Sequence, residues 1–271
     1  MNQHSLYGLK KFGYDLEMYF LKEKGSSLLS ACGLAALALC VGLSAYRIGN
    51  TFGSIGTDGV FYALMAKSIA TGDGLLVYGV PHTIYSPLLP VLIAPFYLLG
   101  FSLENSAHIP IVLFALAIIV GTYWLGLKLH SKKAGILSAL FLAVNGVFFW
   151  AASTSPSPQF VAGFFSLISM LFLCRLTTVE ARKLPRNVGV AVISLALAYL
   201  ARPEYFFLIF PVLTWTFVIA RHLHGIVTAT KSVLFGLLMF LSTCAPYLLY
   251  LHDQLGYWTI SGRGNELSVI V

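Results

Sequence analysis

Seven long runs of residues without a single charge leave this chain few folds other than a bundle of membrane-crossing helices. The first, residues 27–46, is 20 residues long and follows Lys22 and Lys24. About 20 apolar residues carry a helix across a ~30 Å hydrocarbon core. The run is too long for a secretory signal peptide and has no clear cleavage site. The others are residues 109–127, 134–151, 159–174, 188–201, 205–220 and 233–251. With 58% apolar residues, 10% charged residues and a mean hydropathy of +0.83, a soluble domain is excluded, since such domains carry about 25% charged residues. The expected fold is all-α: a polytopic membrane helix bundle of about seven transmembrane helices over residues 27–251. A cytoplasmic segment, residues 1–26, precedes it and an external segment, residues 252–271, follows.

Two of the breaks are chemical rather than obvious. Residues 188–220 read as one helix would be roughly 50 Å long and would bury Arg202 mid-bilayer at about 2.5 to 3.5 kcal/mol. A turn at Arg202-Pro203-Glu204 removes both difficulties. The flanking helices then count about 14 and 16 residues, short enough to place this turn below the membrane surface, where irregular backbone lines a polar cavity. Residues 134–174 split at Ser153-Thr154-Ser155-Pro156-Ser157-Pro158, where two prolines and four hydroxyls stop a helix.

Charge sets the orientation. With a cytoplasmic N-terminus the inner segments hold Lys10, Lys11, Lys22, Lys24, Lys128, Lys132, Lys133, Arg175, Arg182, Lys183, Arg186, Arg221 and Lys231, while Arg47, Lys67, Arg202 and Arg263 fall outside. This is the positive-inside pattern, provided that residues 86–100, with Pro87, Pro90 and Pro95, lie on or dip into the outer leaflet without crossing. The net charge of +7 therefore reports topology and excludes a nucleic-acid partner. Cys32, Cys40, Cys174 and Cys244 all lie in apolar runs without metal-knuckle spacing.

Chemistry is expected on the outer face, which collects Asp58, Asp73, His82, Glu104, Arg202, Glu204, Asp253, Arg263 and Glu266. Its longest segment is the external loop, residues 47–106. There the spacing predicts an interfacial helix over 58–71, with Phe61, Leu64, Met65, Ser68 and Ile69 as its apolar stripe. Asp58 is then either an N-cap or a carboxylate held at a fixed point for catalysis. Asp73, between two glycines, suits a turn. His82 is either a plain loop histidine or a phosphate ligand or proton acceptor. Arg202 either snorkels and pairs with Glu204 or faces a cavity. Tyr46, Tyr85, Tyr257 and Trp258 fit interface belts.

Asp58-Gly59-Val60-Phe61-Tyr62, Gly72-Asp73-Gly74 and Tyr85-Ser86-Pro87-Leu88-Leu89-Pro90 together resemble the first external loop of GT-C glycosyltransferases that use polyprenyl-phosphate sugars. Protein O-mannosyltransferases and the lipid A aminoarabinose transferase are of this kind. The resemblance continues through Leu99-Gly100-Phe101-Ser102, Tyr123-Trp124-Leu125-Gly126, Ala201-Arg202-Pro203-Glu204 and Gly256-Tyr257-Trp258-Thr259-Ile260-Ser261-Gly262-Arg263. It implies an integral multi-pass protein of a bacterial or archaeal plasma membrane and a polyprenyl-phosphate-linked sugar as donor. No cofactor is implied, and a divalent metal is left open. It also implies a catalytic carboxylate in the first external loop, matched by Asp58.

Such transfer needs a base for the acceptor and little acid help, because phosphate is a good leaving group. Cations at the leaving phosphate would come from Arg202 or Arg263. Many relatives carry a second acid in the loop that here reads Ser153 to Gln159 without one. Its place falls to Gln159 or the serines, to Glu104 or Glu204, or to nothing in a weakened enzyme. The chain also ends at Ser268-Val269-Ile270-Val271, like the start of another span, which reads as the N-terminal half of such an enzyme. The rival reading is a non-catalytic lipid-phosphate binder or carrier, or a truncated subunit. A transporter's internal repeat of hydropathy is not found.

Overall fold

The computed structural model describes residues 55–263 and the isolated position Gly42. The first apolar run (27–46), the segment 1–26, Cys32, Cys40, Arg47 and the tail from residue 264, with Glu266, lie outside the described residues. The order is α1 (Thr57–Thr71), a two-stranded hairpin β1 (Leu76–Val77) and β2 (Val80–Pro81), then α2 (Leu88–Leu98) and α3 (Leu103–Leu129). There follow α4 (Lys132–Ala143), α5 (Gly146–Thr154), α6 (Pro158–Arg175), α7 (Leu184–Ala201), α8 (Ile209–His224) and α9 (Ile226–Leu255). Short 3₁₀ turns, Ala181–Lys183 and Pro203–Leu208, lead into α7 and α8.

Five helical stretches are long and apolar enough to cross a membrane: Leu103–Leu129, Pro158–Arg175, Ala181–Ala201, Pro203–His224 and Ile226–Leu255. The expected span at 134–151 is instead a pair of helices, α4 and α5, bent by 54°. The bend has a local cause. Asn145 caps α5 by accepting the Phe148 amide at 3.0 Å, which offers the backbone a new start inside an apolar run. Arg202 leaves the helical region (φ −145°, ψ 123°) and Pro203 begins the next turn, so the break between α7 and α8 lies at the expected residues.

The two helices around that break are longer than expected. α7 has 18 residues and spans about 27 Å, and the stretch after the break runs over 22 residues to His224. Arg186 and Arg221 lie inside them, because a long cationic side chain snorkels from a helix terminus. Helix shortness therefore gives no reason to sink the Arg202 turn.

The interfacial helix exists, with a different inner face. Gly59, Tyr62, Ala63, Met65 and Ala66 are buried, whereas Phe61, Leu64 and Ser68 are only partly so. Small side chains let α1 approach α2 and α3 closely, a contact that an apolar stripe chosen by size overlooks. α2 has 11 residues, too short to cross, and buries Leu89, Pro90, Ile93 and Ala94 against the rest of the bundle. One cluster joins α1, α2, α3, α5, α6 and the end of α7 through Tyr62, Ala63, Leu89, Ile111, Phe160 and Ala201. A second joins α7, α8 and α9 through Val192, Tyr199, Ile219, Phe240 and Tyr247.

The start of α1 rests on the turn between α5 and α6. A Cβ on Gly59 would lie 2.7 Å from Pro156 Cδ and 2.5 Å from Ile55 Cγ2. Gly59→Ala should therefore lower the unfolding temperature in detergent, by the equivalent of about 1 to 3 kcal/mol. An unchanged melting curve would show that α1 does not rest on Pro156.

Candidate functional site

The chain returns to the same end of the bundle at residues 55–102, 153–158, 201–204 and 255–263. The two ends differ in charge. Lys128, Lys132, Lys133, Arg175, Arg182, Lys183, Arg186, Arg221 and Lys231 lie at the other end with Glu180, whereas this end carries Lys67, Arg202 and Arg263 with five of the six described acids.

Asp58 is not the N-cap of α1. Gly56 holds that position without a side-chain hydrogen bond, and Asp58 lies in the first turn with its side chain exposed. Its Oδ1 accepts a hydrogen bond from the Tyr85 hydroxyl at 2.7 Å. Tyr85 is thus a partner of Asp58. Asp73 follows the C-cap Gly72, its amide donating to Ser68 O at 2.9 Å, which is a turn closing α1.

Arg202 and Glu204 meet in a forked pair, with Nη2–Oε1 at 3.0 Å and Nε–Oε2 at 3.3 Å. Arg263 Nη1 reaches the same Oε1 at 3.3 Å. Two guanidiniums therefore share one carboxylate and leave a net positive charge, and most of their five N–H donors each stay available. Arg263 arrives here because Gly262 packs against the Thr83 carbonyl, where a Cβ would collide with the backbone. The Tyr199 hydroxyl donates to Ile260 O at 2.9 Å and holds the same segment.

Tyr62 joins the two halves. Its hydroxyl lies above its ordinary value of 10.0, chiefly through burial; Arg263 and Arg202 pull it down, while Tyr85 and Asp58 push it up. The phenol is 1% exposed, and the charges of Asp58, Arg202 and Arg263 all act on it. Its ring meets Tyr85 at 4.9 Å between centroids. His82 stacks on Tyr85 at 5.3 Å and on Phe61 at 5.5 Å, and its buried Nε2 has no hydrogen-bond partner.

Of the expected site residues, the structure gathers Asp58, His82, Arg202, Glu204 and Arg263 at this end. Gln159 is exposed in the first turn of α6, just beyond the Pro156 that touches α1. Glu204 is the acid tied to the cations; Glu104 is exposed in the first turn of α3. Sequence reasoning passed over Tyr62 and Tyr85. The spacing of Asp58 and Tyr62, one turn apart on one helix face, is the signal that could have found the first. Among the described residues no group of three or more His, Cys, Asp or Glu is gathered that could hold a metal ion.

Residues 80–250, more than half of the chain, match the model of the dolichyl-phosphate-mannose-protein mannosyltransferase family. The chain belongs to this family. It is therefore a multi-pass membrane protein of the GT-C glycosyltransferase type. No curated protein and no solved structure matches it. The matched stretch includes His82, Tyr85, Arg202 and Glu204, while Asp58 and Arg263 flank it.

Burial holds the His82 imidazole below its ordinary 6.5. The neutral ring is favoured in the fold, so its contribution to stability is complete above that value and is lost as the pH falls through the lower folded value. Melting of wild type and His82→Gln compared from about pH 7.5 to about pH 5 should show wild type losing more stability. Parallel curves would contradict a buried neutral His82.

Proposed function

We propose that this chain transfers a sugar, mannose by its family, from a polyprenyl-phosphate donor to an acceptor hydroxyl, with Asp58 as general base. The observation that carries this reading is the exposed Asp58 carboxylate, fixed by Tyr85 at 2.7 Å at the same bundle end as the Arg202–Glu204–Arg263 cluster. Tyr85 holds Oδ1 and leaves Oδ2 to take the acceptor proton. The acceptor oxygen attacks the anomeric carbon as the bond from that carbon to the phosphate oxygen breaks. The electron pair leaves with the phosphate, whose charge Arg202 and Arg263 offset. Glu204 keeps the two guanidiniums in register, in place of a second acid beside Asp58. His82 and Gln159 line the approach. The N-terminus would be cytoplasmic and transfer would occur on the face opposite the basic loops.

Asp58→Asn should lower turnover by roughly 10² to 10⁴-fold, with polyprenyl-phosphate binding and melting nearly unchanged. Tyr85→Phe should keep the base but lose its aim, for a decrease of about 10-fold. Full turnover in Asp58→Asn would sink the base assignment and favour a non-catalytic lipid-phosphate binder.

The side of the membrane has its own test, in a background without the native thiols. A cysteine at Tyr78, 82% exposed at the hairpin tip, should label from outside intact cells. One at Glu180 should label only after permeabilisation. The reverse pattern would overturn the orientation.

A further inference from the structure

The hairpin that carries His82 and leads to Tyr85 is held from the far side by one side chain of α9. The Tyr250 hydroxyl lies 3.3 Å from Leu75 O and 3.2 Å from His82 O, so its single proton is shared between the carbonyls at the open end of the hairpin. The His82 amide donates to Leu75 O at 2.9 Å, which closes the same end. Tyr250 is part-buried and far along the chain, in a helix packed into the second core cluster. Its bonds therefore tie a loop with few contacts of its own to a rigid element.

The tie leads to the site through three contacts. With its carbonyl fixed, His82 stacks on Phe61 and Tyr85 at 5.5 and 5.3 Å. The Tyr85 ring also meets Phe61 at 5.5 Å and Tyr62 at 4.9 Å, both on α1. This stacking sets where the Tyr85 hydroxyl lies, and that hydroxyl holds Asp58. The geometry points to Tyr250 as a positioning residue. It touches no reacting atom, and it sets the aim of the Asp58 carboxylate through His82 and Tyr85. This rests on the reading of Asp58 as base.

Tyr250→Phe removes the hydroxyl and keeps the ring that packs on Tyr247. The reaction to follow is release of polyprenyl phosphate from polyprenyl-phosphate mannose by the full chain, with water as acceptor. A misaimed base should lower kcat by about 10- to 100-fold and leave KM for the donor within about twofold, since the guanidiniums are not disturbed. In a Tyr85→Phe background the same substitution should change kcat by less than about twofold, because the path is already cut.

Unchanged kcat in the single variant, or an equal loss in both backgrounds, would overturn the assignment while leaving the base reading intact. Full activity in Asp58→Asn would defeat the base reading and this one with it. Amide exchange gives a readout that needs no turnover. Tyr250→Phe should speed exchange across residues 75–86 by about 10-fold with α9 as protected as in wild type, and unchanged exchange there would also overturn the tie.

Discussion

Two guanidiniums on one carboxylate organise the working end of this bundle. Arg202 ends α7, Glu204 lies in the turn that follows, and Arg263 comes from the segment after α9. The cluster is partly exposed, with side-chain accessibilities of 27%, 54% and 39%, so its worth lies less in stability than in geometry. It joins the last described residues to the turn between α7 and α8. Gly262 packs on the Thr83 carbonyl just after the hairpin, and Tyr62 and Ala201 belong to one core cluster. Pro203 makes the arrangement possible, because it ends α7 at a residue whose side chain would otherwise point along an apolar helix.

The loop without an acid has a structural role that the family comparison does not disclose. Ser155 and Pro156 lie against Gly56 and Gly59 and seat the start of α1. This turn thus packs against Gly56 and Gly59, on either side of Asp58 in the chain. Of the five described acids at this end, Glu204 is the one paired with two arginines.

Much of the fold was legible because hydropathy and charge act at a coarse scale that a bilayer imposes. The breaks at Ser153 to Pro158 and at Arg202-Pro203-Glu204 could be read from proline and cost alone. The bend at Asn145 could not, since one capping amide inside an apolar run leaves hydropathy unchanged. The buried face of α1 was missed because Gly59, Ala63 and Ala66 carry little hydrophobic weight, yet permit close contact. The helices around Arg202 were cut short by treating charged residues as helix ends. In the site, Asp58, Arg202, Glu204 and Arg263 stood out as charges in an apolar chain. Tyr62, Tyr85 and Tyr250 did not, because among 14 tyrosines only tertiary contacts separate a hydrogen-bonding phenol from a belt residue.

The central claim is that the arginine pair is built to receive a lipid-linked phosphate. Its most direct measurement is the affinity of polyprenyl phosphate for the purified full chain, compared among wild type, Arg202→Lys and Arg263→Lys. Lysine keeps the charge and loses the planar fork. Each substitution should weaken binding by about tenfold while melting stays close to wild type. Wild-type affinity in both variants would contradict the account.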